Sequence, residues 1–237
     1  LFDVSEREFF ELLDPLARNL SFMHEFTQGS RDNELDLFLK AFIEDNDFQK
    51  IVPHDILENF ETRIPSYDKY IELLSLIKNQ VQEEIKDLDQ NNFSLCHTNL
   101  TKSKILLKNN FFKFINFHQS FVLDPFFDLA FLCLSTGLCK SRSAEKILLE
   151  KYFEHHRLLD LSIEEAQEKL DNFKKVCFKM ALARLSSELV FELSTYQNKR
   201  PHRILKFIKR YEYIRPLVIE EFPEGADVID NFFYLFS

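Results

Sequence analysis

Cys96-His97-Thr98-Asn99-Leu100-Thr101-Lys102-Ser103-Lys104-Ile105-Leu106, followed by Phe114-Ile115-Asn116-Phe117 and then Asp124-Pro125-Phe126-Phe127-Asp128-Leu129-Ala130, is the stretch on which the fold turns. Three short apolar runs stand within Phe93 to Phe117: FSLCH, KILLK and FFKFINF. Asn109-Asn110 separates the last two, and Asn tolerates the positive φ of a tight turn, so a small strand pair with a loop in front of it is predicted. After Pro125 the apolar spacing becomes helical.

Outward from this β region the chain reads as helix. Upstream, Ser5-x-x-Glu8 is a capping box opening a first helix, and Asp14-Pro15 places an N-cap before an N1 proline, which predicts a second through Leu16, Leu20 and Met23. Residues 34–44 make a third, Pro53 opens a short fourth, and Ser66 precedes a long amphipathic stretch carrying Tyr70, Leu73, Leu74, Ile77, Val81 and Ile85. Downstream, helices are predicted over 126–136, over 143–156, from the capping box Ser162-x-x-Glu165 through Val176, Met180, Leu185 and Leu189, from Pro201, and over 226–236. No internal repeat, low-complexity tract or Pro/Ser-rich linker divides these, so one domain over residues 1–237 is expected, with the site region at 93–130 and a helical tail at 131–237.

Composition excludes several functions. The 237 residues hold only 3 Gly, where average usage gives roughly 17, and Gly29, Gly137 and Gly225 stand far apart. Gly-rich phosphate cradles need glycine where backbone approaches the ligand, so none is encoded. A net charge of −9 argues against nucleic acid as a partner, because such proteins usually carry a basic surplus. Cys96, Cys133, Cys139 and Cys177 form no CxxC pair and are expected as buried, reduced thiols. The apolar stretch from Phe121 to Cys139 carries Asp124 and Asp128 and is too short for a membrane span. With no secretory signal at the start, a soluble cytoplasmic protein is expected. The first residue is Leu, not Met, which suggests a segment of something longer.

The quoted stretch resembles the C-terminal lobe of the aminoglycoside phosphotransferase and choline kinase family, the small-molecule kinases of protein-kinase-like fold. There the pattern is roughly H-G-D-L-x-x-x-N-I-L, then I-D-F/W, then D-P-x-x-D-L-A, in the same order and spacing. Leu16-Ala17-Arg18 to Met23-His24 is similar to the family's LARxLAxLH helix. The resemblance covers about residues 5–140, and the helices to 237 fit the family's helical lobe more loosely. The fold it implies is mainly α with a small β hairpin, an α+β arrangement in which the N-terminal lobe is absent from this chain. The Gly-rich loop and phosphate-binding Lys that such a lobe supplies would precede Leu1.

The resemblance also implies where the chemistry would sit. In these kinases an Asp of the catalytic loop accepts the substrate's hydroxyl proton, a downstream Asn holds Mg²⁺, and an Asp after the next strand holds Mg²⁺ against the phosphates. The matching positions are Asn99, Lys104 and Asn116. A carboxamide is no usable base at neutral pH, Lys104 puts a cation where a metal ligand belongs, and Asn116 offers a neutral oxygen where a hard dication wants a carboxylate. The local charge rises by three units against the family pattern. His97 and Asp128 keep the family residue, and the resemblance implies that both anchor the loop, Asp128 by accepting its backbone N–H groups.

Two functions follow as expectations. The first is a catalytically degenerate, pseudokinase-type module that binds or scaffolds, with no cofactor and with an N-terminal lobe, another protein or a small molecule as partner. The alternative is an active ATP- and Mg²⁺-dependent small-molecule kinase of the aminoglycoside or choline type, acting on an alcohol group through a divergent catalytic loop and present here without its N-terminal lobe. A slow, metal-poor reaction with Lys104 in the place of Mg²⁺ is its weaker form. Elsewhere, His118 is expected as a loop histidine in partial solvent. His155-His156 point about 100° apart on a helix and are expected at a solvated helix end. Lys199, Arg200, Arg203, Lys206, Lys209 and Arg210 interleave with Ile204, Leu205, Ile208 and Tyr211 as one basic and one apolar face. Phe9, Phe10, Phe111, Phe112, Phe126, Phe127, Phe232 and Phe233 are expected as core plus an exposed patch.

Overall fold

The computed structural model describes residues 6–29, 34–46, 67–88, 92–100, 104–108, 111–136, 141–156, 160–196 and 201–234. Its elements run, in chain order, α1 (Glu6–Thr27), α2 (Leu35–Asp45), α3 (Tyr67–Asp87), β1 (Ser94–Cys96), β2 (Ile105–Lys108), β3 (Phe111–Phe114), β4 (Phe121–Leu123), α4 (Phe126–Thr136), α5 (Arg142–His155), α6 (Ile163–Tyr196), α7 (Pro201–Glu221) and α8 (Ala226–Tyr234). The described chain is mainly helical, with two small antiparallel sheets.

β2 and β3 form the expected hairpin, Ile105 opposite Phe114 and Lys108 opposite Phe111. The Asn109-Asn110 turn, the Pro53 helix, Ser5, Ser66, Cys139 and Gly137 lie outside the described residues. β1 pairs with β4, Ser94 opposite Leu123 and Cys96 opposite Phe121, a pairing the sequence does not announce. Phe121–Leu123 is a three-residue run without alternation, and only its long-range partner makes it a strand.

One expectation is overturned at the N-terminus. Asp14-Pro15 does not start a second helix, because α1 runs unbroken through Pro15. An interior proline costs a helix about 3 kcal/mol. Here Leu13, Leu16, Ala17 and Leu20 continue one buried stripe past it, and that face packs on α5. Fully burying one such aliphatic side chain contributes about 1.5–3 kcal/mol, so the stripe offsets the proline. At Asp124-Pro125 the same dipeptide does open a helix: the Phe126 N–H donates to Asp124 Oδ1 at 2.9 Å just ahead of α4, the helix expected over 126–136. The Ser162/Glu165 capping box also forms, with the Glu165 N–H on Ser162 Oγ at 3.2 Å and the Ser162 N–H on Glu165 Oε2 at 2.9 Å.

The chain groups into two compact units, one from residues 1–38 and 88–177 and the other from 39–87 and 178–237. In the first, α1 lies against α5, β1 and β3. Phe38 meets Phe121 and Phe127 edge-on at 5.4 and 5.3 Å, and Phe127 meets Phe173 at 5.0 Å. In the second, α8 packs on α3 and α7, Phe232 stacks on Tyr70 at 3.8 Å and Phe233 on Tyr211 at 4.1 Å. Arg215 clamps Asp230 there, Nη2 to Oδ2 at 2.6 Å. Phe112, Phe126, Phe127, Phe232 and Phe233 are core, while Phe111 is 68% exposed.

Among the described residues no helix is long and apolar enough to cross a membrane. Cys96, Cys133 and Cys177 are buried thiols in no disulfide.

Candidate functional site

The site is built around the end of β1. His97, Thr98 and Leu100 follow that strand and are buried, so their backbone N–H groups need partners inside the protein. Asp128, in the first turn of α4, supplies two. Its Oδ2 accepts the His97 N–H at 2.7 Å and its Oδ1 the Thr98 N–H at 2.8 Å. Its side chain is itself fully buried, and three donors converge on it, because His24 Nε2 stands 3.2 Å from Oδ2. Charge-assisted bonds of this kind are about twice as strong as neutral ones.

The His97 ring turns the other way, its Nε2 lying 2.8 Å from the Ile115 carbonyl, against the Phe117 ring at 4.9 Å between centroids. The Ile115 N–H donates to the Lys104 carbonyl at 3.0 Å. Thr98 has φ 54°, a left-handed conformation that strains a β-branched residue. The resembled family has glycine at this position. Its hydroxyl donates to the Gln119 carbonyl at 2.5 Å, and the Asn99 amide donates to Gln119 Oε1 at 3.2 Å. Asn116, also left-handed at φ 72°, precedes a single 3-10 turn over Phe117–Gln119 and is exposed. Loop, hairpin base and turn thus bring positions 97, 98, 99, 104, 115 and 119 into one hydrogen-bonded cluster, with Asn116 exposed beside it.

The donor set at 99, 104 and 116 is amide, ammonium and amide. Asp128 and Asp124 are committed elsewhere: Asp128 to backbone and His24, and Asp124 to the Phe126 N–H and to Lys169 Nζ at 2.8 Å. These residues do not fit a divalent ion, which takes hard anionic oxygens. His24, Cys96 and Asp128 approach one another closely enough to suggest a metal cluster. However, both ring nitrogens of His24 are partnered, and the Cys96 thiol, pushed well up by burial, donates to the Leu123 and Asp124 carbonyls at 3.5 and 3.3 Å. It remains a neutral thiol, not the thiolate a metal binds.

Three groups central to this geometry carry no role in the sequence reading. His24 closes the LARxLAxLH-like helix, a signal that could have found it. Tyr152, whose hydroxyl lies 2.8 Å from His24 Nδ1, and Gln119 leave no trace in the sequence. His118 stands exposed on the 3-10 turn. The histidine pair overturns its expectation of a solvated helix end. His155 is partly buried and lies 3.1 Å from Asp14 Oδ1. His156 is 1% exposed because it caps α5, its N–H on the Tyr152 carbonyl, and folds its ring onto Tyr152 at 5.2 Å. Of the basic stretch, Lys209 and Arg210 are exposed over buried Ile204, Ile208 and Tyr211, and Arg210 pairs with Glu188 at 3.1 Å. Lys199, Arg200 and the side chains of Arg203 and Lys206 lie outside the described residues.

An anchored loop after a short strand, a hairpin and a helix opened by Asp-Pro, set in a mainly helical chain, define the fold of the C-terminal lobe of kinase-like small-molecule phosphotransferases. A choline/ethanolamine kinase family protein from Mesorhizobium loti is similar in structure, with a TM-score of 0.51 and 15% identity over 95% of this chain and 69% of that one. The AMP-bound complex of spectinomycin phosphotransferase APH(9)-Ia is similar over 98% of this chain and 67% of that one, with a TM-score of 0.50 and 12% identity. No protein-family model matches the chain, and no curated protein matches it in sequence.

Proposed function

We propose that the chain is a catalytically degenerate, pseudokinase-type phosphotransferase-like module, which binds a small molecule or a partner at the 97–119 cluster and transfers no phosphate. The observation that carries this is Asn99: it stands where the resembled kinases have their base, on a loop whose anchors His97 and Asp128 are retained, and its amide is spent as a donor to Gln119. Lys104 and Asn116 extend the argument, since neither supplies an anionic oxygen, so no Mg²⁺ or ATP cofactor is part of this reading.

The AMP-bound phosphotransferase supports a nucleotide-like or other small polar ligand, and Lys104 favours an anionic one. Exposed Phe22, Phe26, Leu106, Leu107 and Phe111 support an apolar partner surface, either a further lobe or a separate protein. The buried, reduced thiols of Cys96, Cys133 and Cys177 support a cytoplasmic setting. A phosphotransfer assay with ATP and Mg²⁺ or Mn²⁺ across small alcohols, amines and aminoglycosides tests the proposal. No turnover above background is expected. Turnover that Asn99→Ala abolishes would overturn it and leave the active kinase reading.

A further inference from the structure

The reach of Asp128 into the loop depends on a proton that it does not own. Both carboxylate oxygens already accept backbone N–H groups, so the bond from His24 requires the imidazole to present N–H at Nε2. An imidazole whose single proton sits on Nε2 has a lone pair on Nδ1, and that nitrogen accepts. The phenol at that position is Tyr152, from α5, at 2.8 Å, and burial holds its hydroxyl protonated by pushing it well above the ordinary range. His156 stacks on the Tyr152 ring and Phe153 meets it edge-on at 5.6 Å, so the phenol is confined. With one proton on the His24 ring, each proton in the chain Tyr152 Oη–H, His24 Nε2–H, Asp128, His97 N–H and Thr98 N–H then has one assignment.

We infer that His24 and Tyr152 are positioning residues for the 97–99 loop. Tyr152 selects the His24 tautomer, His24 completes the Asp128 clamp, and the position of α5 is thereby transmitted to the backbone beside Asn99. This deepens the proposed function, resting on it only in treating that loop as the ligand site.

The test uses the full chain and backbone amide exchange by NMR, with ¹⁵N shifts of the His24 ring. In the unmodified protein the ring is expected as the neutral Nε2–H form. Tyr152→Phe is expected to speed exchange at the His97 and Thr98 amides about ten-fold more than at other core amides of the same unit. Leu148→Val, another buried α5 change, is expected to speed all of these alike. In a His24→Gln background, whose amide donates from the same place with no tautomer to select, Tyr152→Phe is expected to change the two amides by less than about two-fold. A proton on Nδ1 in the unmodified protein, or a Tyr152→Phe effect spread evenly over the unit, overturns the inference. Neither readout involves phosphotransfer, so an active enzyme would sink the proposed function and leave this result standing.

Discussion

Lys169 places its ammonium 2.8 Å from a carboxylate oxygen of Asp124, whose side chain is 1% exposed. Burial pushes the Asp124 carboxyl up, and Lys169 and the Phe126 N–H pull it back. Removing one partner of such a pair strands a buried charge, at a cost of about 3–5 kcal/mol, whereas replacing both often costs little. Lys169→Met is therefore expected to lower unfolding free energy by about 3 kcal/mol at neutral pH, and Lys169→Met with Asp124→Asn by distinctly less. The single variant's deficit shrinks as the pH falls, because a folded-state carboxyl raised above its unfolded value takes up its proton first in the folded state. Urea denaturation at pH 7 and pH 5 measures both.

The buried His156 predicts a second pH effect with the opposite slope. Burial lowers its pKa to about 4 from an ordinary 6.5, and neither ring nitrogen has a hydrogen-bond partner among the described residues. Between those values the unfolded chain binds the proton and the folded one does not, so stability is full above about pH 6.5 and falls as the pH drops towards 4. The limiting slope is about 1.4 kcal/mol per unit. His156→Phe is expected to flatten stability against pH across this window, as followed by thermal unfolding at half-unit steps.

Thr98 combines a strained backbone with a useful hydroxyl, and two substitutions separate them. Thr98→Val keeps the branched side chain at positive φ and removes the bond to the Gln119 carbonyl, a loss of about 1–2 kcal/mol. Thr98→Gly removes the same bond and relieves strain of about 1 kcal/mol or more. Glycine is expected to be the more stable of the two by chemical denaturation, although it has the freer unfolded chain.

Charge at the candidate site supplies the fourth prediction. Asn99→Asp, Asn116→Asp and Lys104→Asn together lower the local charge by three units and restore hard oxygen donors. The unmodified chain is expected to show no heat of Mg²⁺ or Mn²⁺ binding at millimolar concentration. The triple variant is expected to show it, with at least about ten-fold higher affinity by calorimetry, only where an N-terminal lobe accompanies the chain.

Local chemistry was readable in the sequence wherever one segment decides its own structure. The hairpin, the Ser162/Glu165 box, the Asp124-Pro125 start and the long amphipathic α3 all depend on neighbours a few residues away. Asp14-Pro15 carries the same local signal as Asp124-Pro125 and behaves differently, because the stripe from Leu13 to Leu20 is covered by α5, more than a hundred positions downstream. β4 and the burial of His156 failed for the same reason. At the site, motif spacing singled out His97, Asn99, Lys104, Asn116 and Asp128, but hydrogen bonds from distant helices, such as those of Tyr152 and Lys169, have no period or motif to betray them.

The pairing of β1 with β4 has one more implication. Cys96 and Phe121 lie side by side, so the chain between them leaves the framework and returns to the same spot. The two strand ends fix where that segment begins and finishes whatever side chains it carries. An architecture of this kind makes the segment between them the natural place to graft a new specificity.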